Sequence, residues 1–226
     1  MEHISSKKVF FLFMVHSSSA TFIVLCGKTG SGKSLLLQQL EISGYPVINL
    51  EKIASHRGSA FGVLLLPPQP SQEDFENELK KAVLKYASAP YIFIEQKPSS
   101  LGKRKIPECL YSKMNDGILI QLNVNKETRI NNILNEYKAA GKENFINALH
   151  KLNERLPKPV MNELETFLHS ENYEVFIERM LDYYDNTSKY QLPKKPNIIL
   201  EIQTFDVADI IKRLLKLLQQ AGIIQP

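Results

Sequence analysis

One short segment constrains the fold of this chain more than any other. Residues 27–34 read Gly-Lys-Thr-Gly-Ser-Gly-Lys-Ser and fit the pattern G-x-x-x-x-G-K-[ST]. An apolar run at residues 22–26 precedes the segment, and a helical pattern at 33–43 follows it and ends at Gly44. A strand, a glycine-rich loop and a helix in this order predict a P-loop, in which backbone N–H groups and a helix N-terminus bind phosphate.

Two side chains of this loop have predicted roles. Lys33 is expected to reach the terminal phosphates and Ser34 to ligate Mg²⁺. The remaining phosphate contacts are assigned to the loop residues Gly27, Thr29, Gly30, Ser31 and Gly32.

A P-loop also needs an acid at the end of a neighbouring buried strand to hold Mg²⁺. Glu95 directly follows the apolar residues 91–94 and is the predicted second metal ligand. The alternative is that Glu95 is simply the first exposed residue after the strand. Glu51, after the apolar residues 47–50, is a second candidate.

Apolar runs of strand length alternate with helical patterns along the whole chain. The runs lie at residues 22–26, 47–50, 91–94, 118–122 and 198–202. They lack polar alternation, which is typical of strands buried on both faces. Helices are predicted at 33–43, from Ser71 onwards, at 126–140, two or three times within 144–185, and after a cap at 206–209.

This alternation predicts an α/β, P-loop NTPase-like three-layer fold with a mostly parallel sheet. The predicted domain covers residues 22–226 and has a helical insertion at about 143–190, before the last strand. Residues 1–21 are expected to be an N-terminal extension or a stub of linker.

The composition limits the cellular compartment and the kinds of partner that we expect for this chain. The chain is 43% hydrophobic and 23% charged, which suits an ordinary core and excludes a disordered or coiled-coil protein. The net charge of +4 permits an anionic partner. Cys26 and Cys109 cannot form a disulfide framework, so a cytoplasmic location is expected. The longest apolar run, at residues 9–15, is far shorter than the roughly 20 residues of a membrane span, so no membrane partner is expected.

A second polar segment follows the second apolar run. His56 and Arg57, followed by Gly58, lie in a predicted loop at the carboxyl end of a strand, where open α/β sheets bind ligands. An arginine fork suits phosphate, so both residues are candidate catalytic groups, and an ordinary surface loop is the alternative. Arg129, in the helix after the fourth strand, is a further candidate to reach a phosphoryl group.

Together these segments resemble the P-loop half of the tRNA 2-selenouridine synthase family. The resemblance covers nearly the whole chain from about residue 22, and the His-Arg-Gly-Ser stretch at 56–59 is not a general P-loop feature. The residues on which the resemblance rests are 27–33, Leu50-Glu51, 56–59, Phe61-Gly62, 69–72, Phe75-Glu76, Glu95, Leu101-Gly102, Ile106-Pro107, Arg129, Tyr137, 183–185 and Tyr190.

The resemblance implies a transferase that replaces sulfur with selenium in the wobble 2-thiouridine of tRNA. It implies selenophosphate as selenium donor, a geranylated intermediate made from geranyl diphosphate, and contact with the anticodon region of tRNA. Members usually carry a rhodanese domain with a catalytic cysteine before the P-loop domain. Residues 1–21 leave no room for one, so a separate rhodanese-domain protein is the expected partner.

The sequence departs from the family after Glu95. The family pattern there is Glu-x-Glu-Ser, whereas this chain has Glu95-Gln96-Lys97-Pro98, so a lysine replaces an acid beside the predicted phosphate site. The segment after Glu95 is expected to be a loop, in which Lys97 forms, with Lys103, Arg104 and Lys105, a basic rim that holds tRNA backbone. The basic residues of the insertion favour a solvated face; they are Lys138, Lys142, Lys151, Arg155 and Lys158.

The residues themselves leave two alternative functions open. One is a P-loop small-molecule or nucleoside kinase, or another NTPase, whose ligand is a nucleoside triphosphate and whose lid would use Arg129 and Arg155. The other is a non-catalytic tRNA-binding remnant, which the Lys97-Pro98 departure favours.

Overall fold

The computed structural model describes residues 19–187, 192 and 195–225. Within them, five parallel strands form one sheet in the order β2–β3–β1–β6–β7. These strands are β1 (Thr21–Cys26), β2 (Val47–Ile48), β3 (Tyr91–Glu95), β6 (Ile118–Val124) and β7 (Ile198–Ile202). A short antiparallel hairpin joins β4 (Ser100–Leu101) to β5 (Arg104–Lys105). The apolar run at 9–15 and Tyr190 lie outside the described residues.

Helices connect the strands and form the insertion. They are α1 (Lys33–Ile42), α2 (Leu50–Ala54), α3 (Gln72–Lys85), α4 (Glu108–Asn115), α5 (Lys126–Tyr137), α6 (Lys142–His150), α7 (Lys158–His169), α8 (Tyr173–Asn186) and α9 (Val207–Gln220). Among the described residues, none of these helices is both long and apolar enough to cross a bilayer.

Alternating side chains of β1 point into two separate cores. Ile23 and Leu25 pack with α1 and α9 on one face of the sheet. Phe22 and Val24 pack with α3 and α4 on the other. The sheet is therefore the middle of three layers, which confirms the predicted fold class.

A third core lies among the helices before the last strand. Helices α5 to α8 pack around apolar side chains that include Phe145 and Phe176, and Phe61 from the loop after α2 joins them. The rings of Phe61 and Phe176 meet edge to face with their centres 5.7 Å apart. The insertion thus has its own apolar interior, to which the segment after α2 contributes.

Two local expectations were wrong. The strand predicted at 47–50 ends at Ile48, because the Asn49 side chain accepts a hydrogen bond from the Lys52 N–H at 2.9 Å and caps helix α2. The segment after Glu95 was expected to be a loop, but it contains the β4–β5 hairpin, and helix α4 follows it. Two-residue strands are too short to produce a periodic pattern.

Candidate phosphate-binding site

The P-loop joins β1 to α1 at the carboxyl edge of the sheet. Gly30 and Gly32 both have φ of +79°, a left-handed conformation that favours glycine. A Cβ atom at Gly30 would lie 2.8 Å from the Arg129 carbonyl oxygen, so the loop also approaches α5 closely. The backbone conformation that the motif predicts is therefore present.

Lys33 lies across this loop. Its Nζ donates hydrogen bonds to the carbonyl oxygens of Gly27 at 2.7 Å and Lys28 at 3.1 Å, and to Ser31 Oγ at 3.2 Å. Burial, together with the nearby charge of Lys97, lowers the pKa of Lys33 to about 8. The ammonium group is thus held at the loop, where a phosphate oxygen offers a stronger acceptor than a carbonyl.

Arg129 braces the loop from helix α5. Its Nε donates to the Thr29 carbonyl oxygen at 2.8 Å, and its two terminal nitrogens donate to the Asp185 carboxylate, each at 2.8 Å. Lys28 Nζ also contacts Asp185, at 3.1 Å. Arg129 is only 3% exposed. Protein groups therefore engage its guanidinium on both sides, which fits a positioning role; direct contact with a phosphoryl group stays a prediction.

Four side chains form a compact group beside the loop, which we call the acid–lysine cluster: Ser34, Glu51, Glu95 and Lys97. Ser34 Oγ donates to Glu51 Oε2 at 2.5 Å, and the Glu51 N–H donates to Glu95 Oε1 at 3.3 Å. Lys97 Nζ donates to Glu51 Oε1 and lies 2.8 Å from Glu95 Oε2. Glu95 is fully buried, so it is not an exposed residue at the end of its strand.

Burial and the charges of neighbouring side chains shift the pKa values of Glu51, Glu95 and Lys97. Burial and the charge of Glu51 raise the pKa of Glu95 to about 7, against the opposing effect of Lys97. Burial would raise the pKa of Glu51, but the charge of Lys97 and hydrogen bonds from Lys97 and Ser34 outweigh it and lower that pKa. Burial would lower the pKa of Lys97, and the two carboxylates instead raise it. Lys97 is therefore a stable cation.

The cluster offers the oxygen donors that Mg²⁺ prefers, but they are engaged by the protein. Each of the four carboxylate oxygens of Glu51 and Glu95 contacts Ser34, Lys97 or a backbone N–H. Among the described residues, no three His, Cys, Asp or Glu side chains converge on one metal position. Lys97 therefore supplies an ammonium group at these carboxylates, and the Mg²⁺ expected at Ser34 and Glu95 stays a prediction.

The prediction that Lys97 belongs to the basic rim was wrong. Only 9% of its side chain is exposed, because it turns inward to the carboxylates. Lys103 and Lys105 are exposed on the hairpin, and Arg104 is half-buried between them. Gln69 and Gln72 hold this hairpin by hydrogen bonds to its backbone. The rim therefore consists of Lys103, Arg104 and Lys105.

Arg57 and His56 are neighbours in the chain but have different surroundings. The His56 ring is buried, its Nδ1 accepts a hydrogen bond from the Gly58 N–H at 2.8 Å, and its Cδ2 lies 2.5 Å from where a Cβ on Gly102 would stand. Arg57 Nε contacts Glu136 Oε1 at 2.7 Å. His56 thus orders the loop, and its catalytic role stays a prediction.

A single cleft of about 1220 Å³ connects the P-loop with the insertion. At one end, here named the phosphate end, it is lined by the P-loop together with Glu51 and Lys97. At the other, the apolar end, its lining includes Phe61, Ile133, Phe145, Phe176, Ile177 and Met180. Arg57 lines the cleft, whereas His56 is not part of its described lining. The cleft therefore suits a ligand with an anionic head and an apolar body.

Comparison with known proteins identifies the family. The profile described as the tRNA 2-selenouridine synthase AAA domain matches residues 20–218. This chain belongs to that family. The match includes the P-loop, the acid–lysine cluster and the helical insertion, so the resemblance drawn from the motifs is confirmed.

Several tRNA 2-selenouridine synthases are similar to the chain. That of Marinobacter nauticus is 34% identical over 214 residues, covering 80% of this chain and 57% of the relative. That of Shewanella denitrificans is 29% identical, covering 85% of this chain and 60% of the relative. The chain therefore spans less than two thirds of the length of these relatives.

A solved tRNA isopentenylpyrophosphate transferase of Bacillus halodurans covers 89% of this chain and 98% of its own length, with 12% identity and a TM-score of 0.41. A similarity at this level supports no inference about function.

Sequence reasoning missed two features of the site. The role of Asp185 as partner of Arg129 depends on a contact across 56 residues of chain, for which the pattern gives no signal. The apolar end was missed because its residues look like ordinary helix core. The one available signal was the family resemblance, which included Phe61 and Asp185 without giving them roles.

Proposed function

We propose that this chain is the P-loop half of a tRNA 2-selenouridine synthase and that its cleft binds geranyl diphosphate. The observation that carries the proposal is the combination of a P-loop and an apolar wall in one cleft. A nucleotide or selenophosphate also satisfies the phosphate end. Of these ligands, geranyl diphosphate is the one whose long hydrocarbon chain matches the apolar end as well.

The phosphate end would hold the diphosphate head. Backbone N–H groups of residues 27–34 and the N-terminus of α1 attract the anion, and Lys33 exchanges its carbonyl acceptors for phosphate oxygens. Arg129 and Asn132 keep the loop in place through the carbonyl oxygens of Thr29 and Gly30. The loop is thus organised for the anion before it binds.

The apolar end would hold the hydrocarbon chain. Ile133 adjoins the loop at this wall, with its Cδ1 2.8 Å from where a Cβ on Gly30 would stand. Phe61, Phe145 and Phe176 pack against one another deeper in the same core. Burying apolar carbon contributes about 0.8 kcal/mol per CH₂, so the chain supplies affinity that inorganic diphosphate lacks.

The proposed first step is geranylation of the tRNA. The sulfur of 2-thiouridine attacks C1 of the geranyl group, a C–S bond forms, the C–O bond to the diphosphate breaks, and the diphosphate leaves with that electron pair. The uridine N3 proton is released to solvent. Lys33 and the loop N–H groups would stabilise the charge that develops on the leaving diphosphate. Selenium from selenophosphate would then replace the geranylated sulfur: a C–Se bond forms at C2 of the base, the C–S bond breaks and geranyl thiol leaves, and water takes the phosphoryl group as inorganic phosphate. A rhodanese-domain partner would supply the cysteine that the family resemblance implies for this exchange.

The basic rim would position the tRNA. Lys103 and Lys105 are exposed on a hairpin that follows the strand bearing Glu95, which places cationic side chains in the segment next to the cleft residues Lys97 to Ser99. Contacts of this kind bind phosphate backbone without reading sequence.

The kinase alternative has less support. Its lid arginines were Arg129 and Arg155, but Arg129 is committed to Asp185 and the Thr29 carbonyl, and Arg155 is exposed in the insertion. A remnant that only binds tRNA would have no use for the apolar end.

The function is tested by incubating the protein with geranyl diphosphate and an anticodon stem-loop that contains 2-thiouridine. Mass spectrometry should detect the S-geranyl product with the wild type and not with Lys33→Ala. The matched control is Lys81→Ala, which removes an exposed lysine of helix α3 outside the described cleft lining and should retain activity. Lack of product with a folded wild type, or equal product with Lys33→Ala, would contradict the proposal.

A further inference from the structure

We propose that the Lys97 ammonium group occupies the position of the divalent cation, so that the phosphate end takes up a diphosphate without a metal ion. The second half of this inference rests on the proposed function, whereas the first concerns the acid–lysine cluster alone. The same loop in a P-loop protein normally uses its Ser and a neighbouring acid to hold Mg²⁺.

The geometry of Lys97 carries the inference. Its Nζ contacts one oxygen of each carboxylate, Glu51 Oε1 and Glu95 Oε2. The other oxygen of Glu51 accepts from Ser34 Oγ at 2.5 Å, and the other oxygen of Glu95 accepts from a backbone N–H. The Lys97 ammonium group therefore already bridges the Glu51 and Glu95 carboxylates. Glu95 is the carboxylate that was predicted to ligate Mg²⁺.

Burial makes this arrangement costly to replace. The side chains of Lys97, Glu51 and Glu95 are 9%, 10% and 0% exposed. A metal ion that took over the carboxylate oxygens would leave the ammonium group without its two acidic partners in a buried place, which is strongly unfavourable. The cluster thus favours its own cation over an external one.

The charges of the site also balance without a metal. Lys33 and Lys97 oppose Glu51 and Glu95, and Lys97 lines the cleft together with Lys33 and Ser34. A diphosphate at the loop would therefore meet two lysines. The chemistry expected of such a site is binding of a prenyl or inorganic diphosphate in the absence of divalent ions.

Two measurements on the wild type test the inference. Calorimetry measures the affinity for inorganic pyrophosphate in EDTA and in excess Mg²⁺. Electron paramagnetic resonance measures whether the ligand-free protein binds Mn²⁺, a paramagnetic substitute for Mg²⁺. We expect pyrophosphate affinities within a fewfold of each other in the two buffers, and no Mn²⁺ bound to the ligand-free protein.

Two variants sharpen the test. Lys97→Met places an apolar side chain of similar length at this position and removes the ammonium group. The variant should therefore bind Mn²⁺, and its affinity for pyrophosphate in EDTA should be at least about tenfold lower than that of the wild type. Mg²⁺ should restore most of that loss. Lys81→Met removes an exposed lysine of helix α3, which belongs neither to the described cleft lining nor to the basic rim, and should behave like the wild type. Thermal unfolding establishes that each variant is folded.

The outcomes separate the inference from the proposed function. Mn²⁺ binding by the wild type, or pyrophosphate binding that requires Mg²⁺, would overturn the inference and leave the proposed function standing. Lack of pyrophosphate binding in either buffer would overturn the proposed function and the metal-free uptake of diphosphate. The Mn²⁺ titration then still decides whether Lys97 holds the cation position, and it does not need Lys97→Met to fold.

Discussion

The two ends of the cleft are built in different ways. The phosphate end comes mostly from one continuous segment, residues 27–34, and is fixed by glycine backbone, a helix N-terminus and buried charges. The apolar end combines side chains from the loop after α2 and from helices α5, α6 and α8. Substitutions should therefore act through charge at the first end and through packing at the second.

Ion pairs to Asp185 connect the two ends. Arg129 on α5 contacts both the P-loop and Asp185, which lies on α8 of the insertion. The buried Arg129 guanidinium thus ties the loop that binds the anion to the helices that form the apolar wall, and the exposed Lys28 side chain of the loop adds a second contact to Asp185.

The largest expected effect comes from breaking this connection. Arg129→Ala removes three hydrogen bonds, two of them to the Asp185 carboxylate, so the free energy of unfolding should fall by about 3 kcal/mol. Denaturant unfolding measures it. The matched control is Arg179→Ala, whose ion pair with Glu163 is exposed on both sides and should cost less than about 1 kcal/mol. Equal losses in the two variants would show that the pair is not a structural link.

A change confined to the apolar end should separate chain recognition from phosphate recognition. Ile133→Ala removes apolar surface from the cleft wall and should weaken geranyl diphosphate binding about tenfold, while pyrophosphate affinity stays unchanged. Calorimetry measures the affinity of the wild type and the variant for each of the two ligands.

Leu134→Ala is the control for this prediction. Leu134 is also half-buried on α5 and packs against the same core, but it is not part of the described cleft lining. A similar loss of geranyl diphosphate affinity in Leu134→Ala would mean that the effect comes from weakened helix packing.

The basic rim should affect tRNA and neither small ligand. The double variant Lys103→Ala with Lys105→Ala should reduce tRNA affinity and flatten the slope of log affinity against log salt by about 2, one for each lost phosphate contact. Filter binding at several salt concentrations measures the slope. Lys151→Ala with Lys158→Ala, two exposed lysines of the insertion, serves as control; an equal change there would place the tRNA elsewhere.

The smallest expected effect is a pH dependence specific to the phosphate end. The pKa of Lys33 is lowered to about 8, so the free protein loses this positive charge as the pH rises through that value. Pyrophosphate affinity should therefore decrease above about pH 8, by at most about tenfold per pH unit. Lys33→Arg stays protonated throughout and corrects for the titration of pyrophosphate itself. A parallel pH profile in wild type and Lys33→Arg would contradict the lowered pKa.

The two ends also differ in how far the sequence could predict them. Residues 27–34 are contiguous, and their strand, loop and helix context predicted the backbone of the phosphate end. Glu95 was predicted from its place after a buried strand, and it is buried beside the loop. Lys97 was misplaced on the rim, because no pattern shows that two carboxylates draw a lysine inward. Phe61, Phe145 and Phe176 were unpredicted as a cleft wall, since they belong to three elements that meet only in the folded chain.

The central claim is that both ends bind one ligand, and calorimetry of geranyl diphosphate and pyrophosphate at several temperatures tests it most directly. We predict that geranyl diphosphate binds more tightly and with a more negative heat-capacity change, because its chain buries apolar surface at the apolar end. Equal affinities and equal heat-capacity changes for the two ligands would contradict the account.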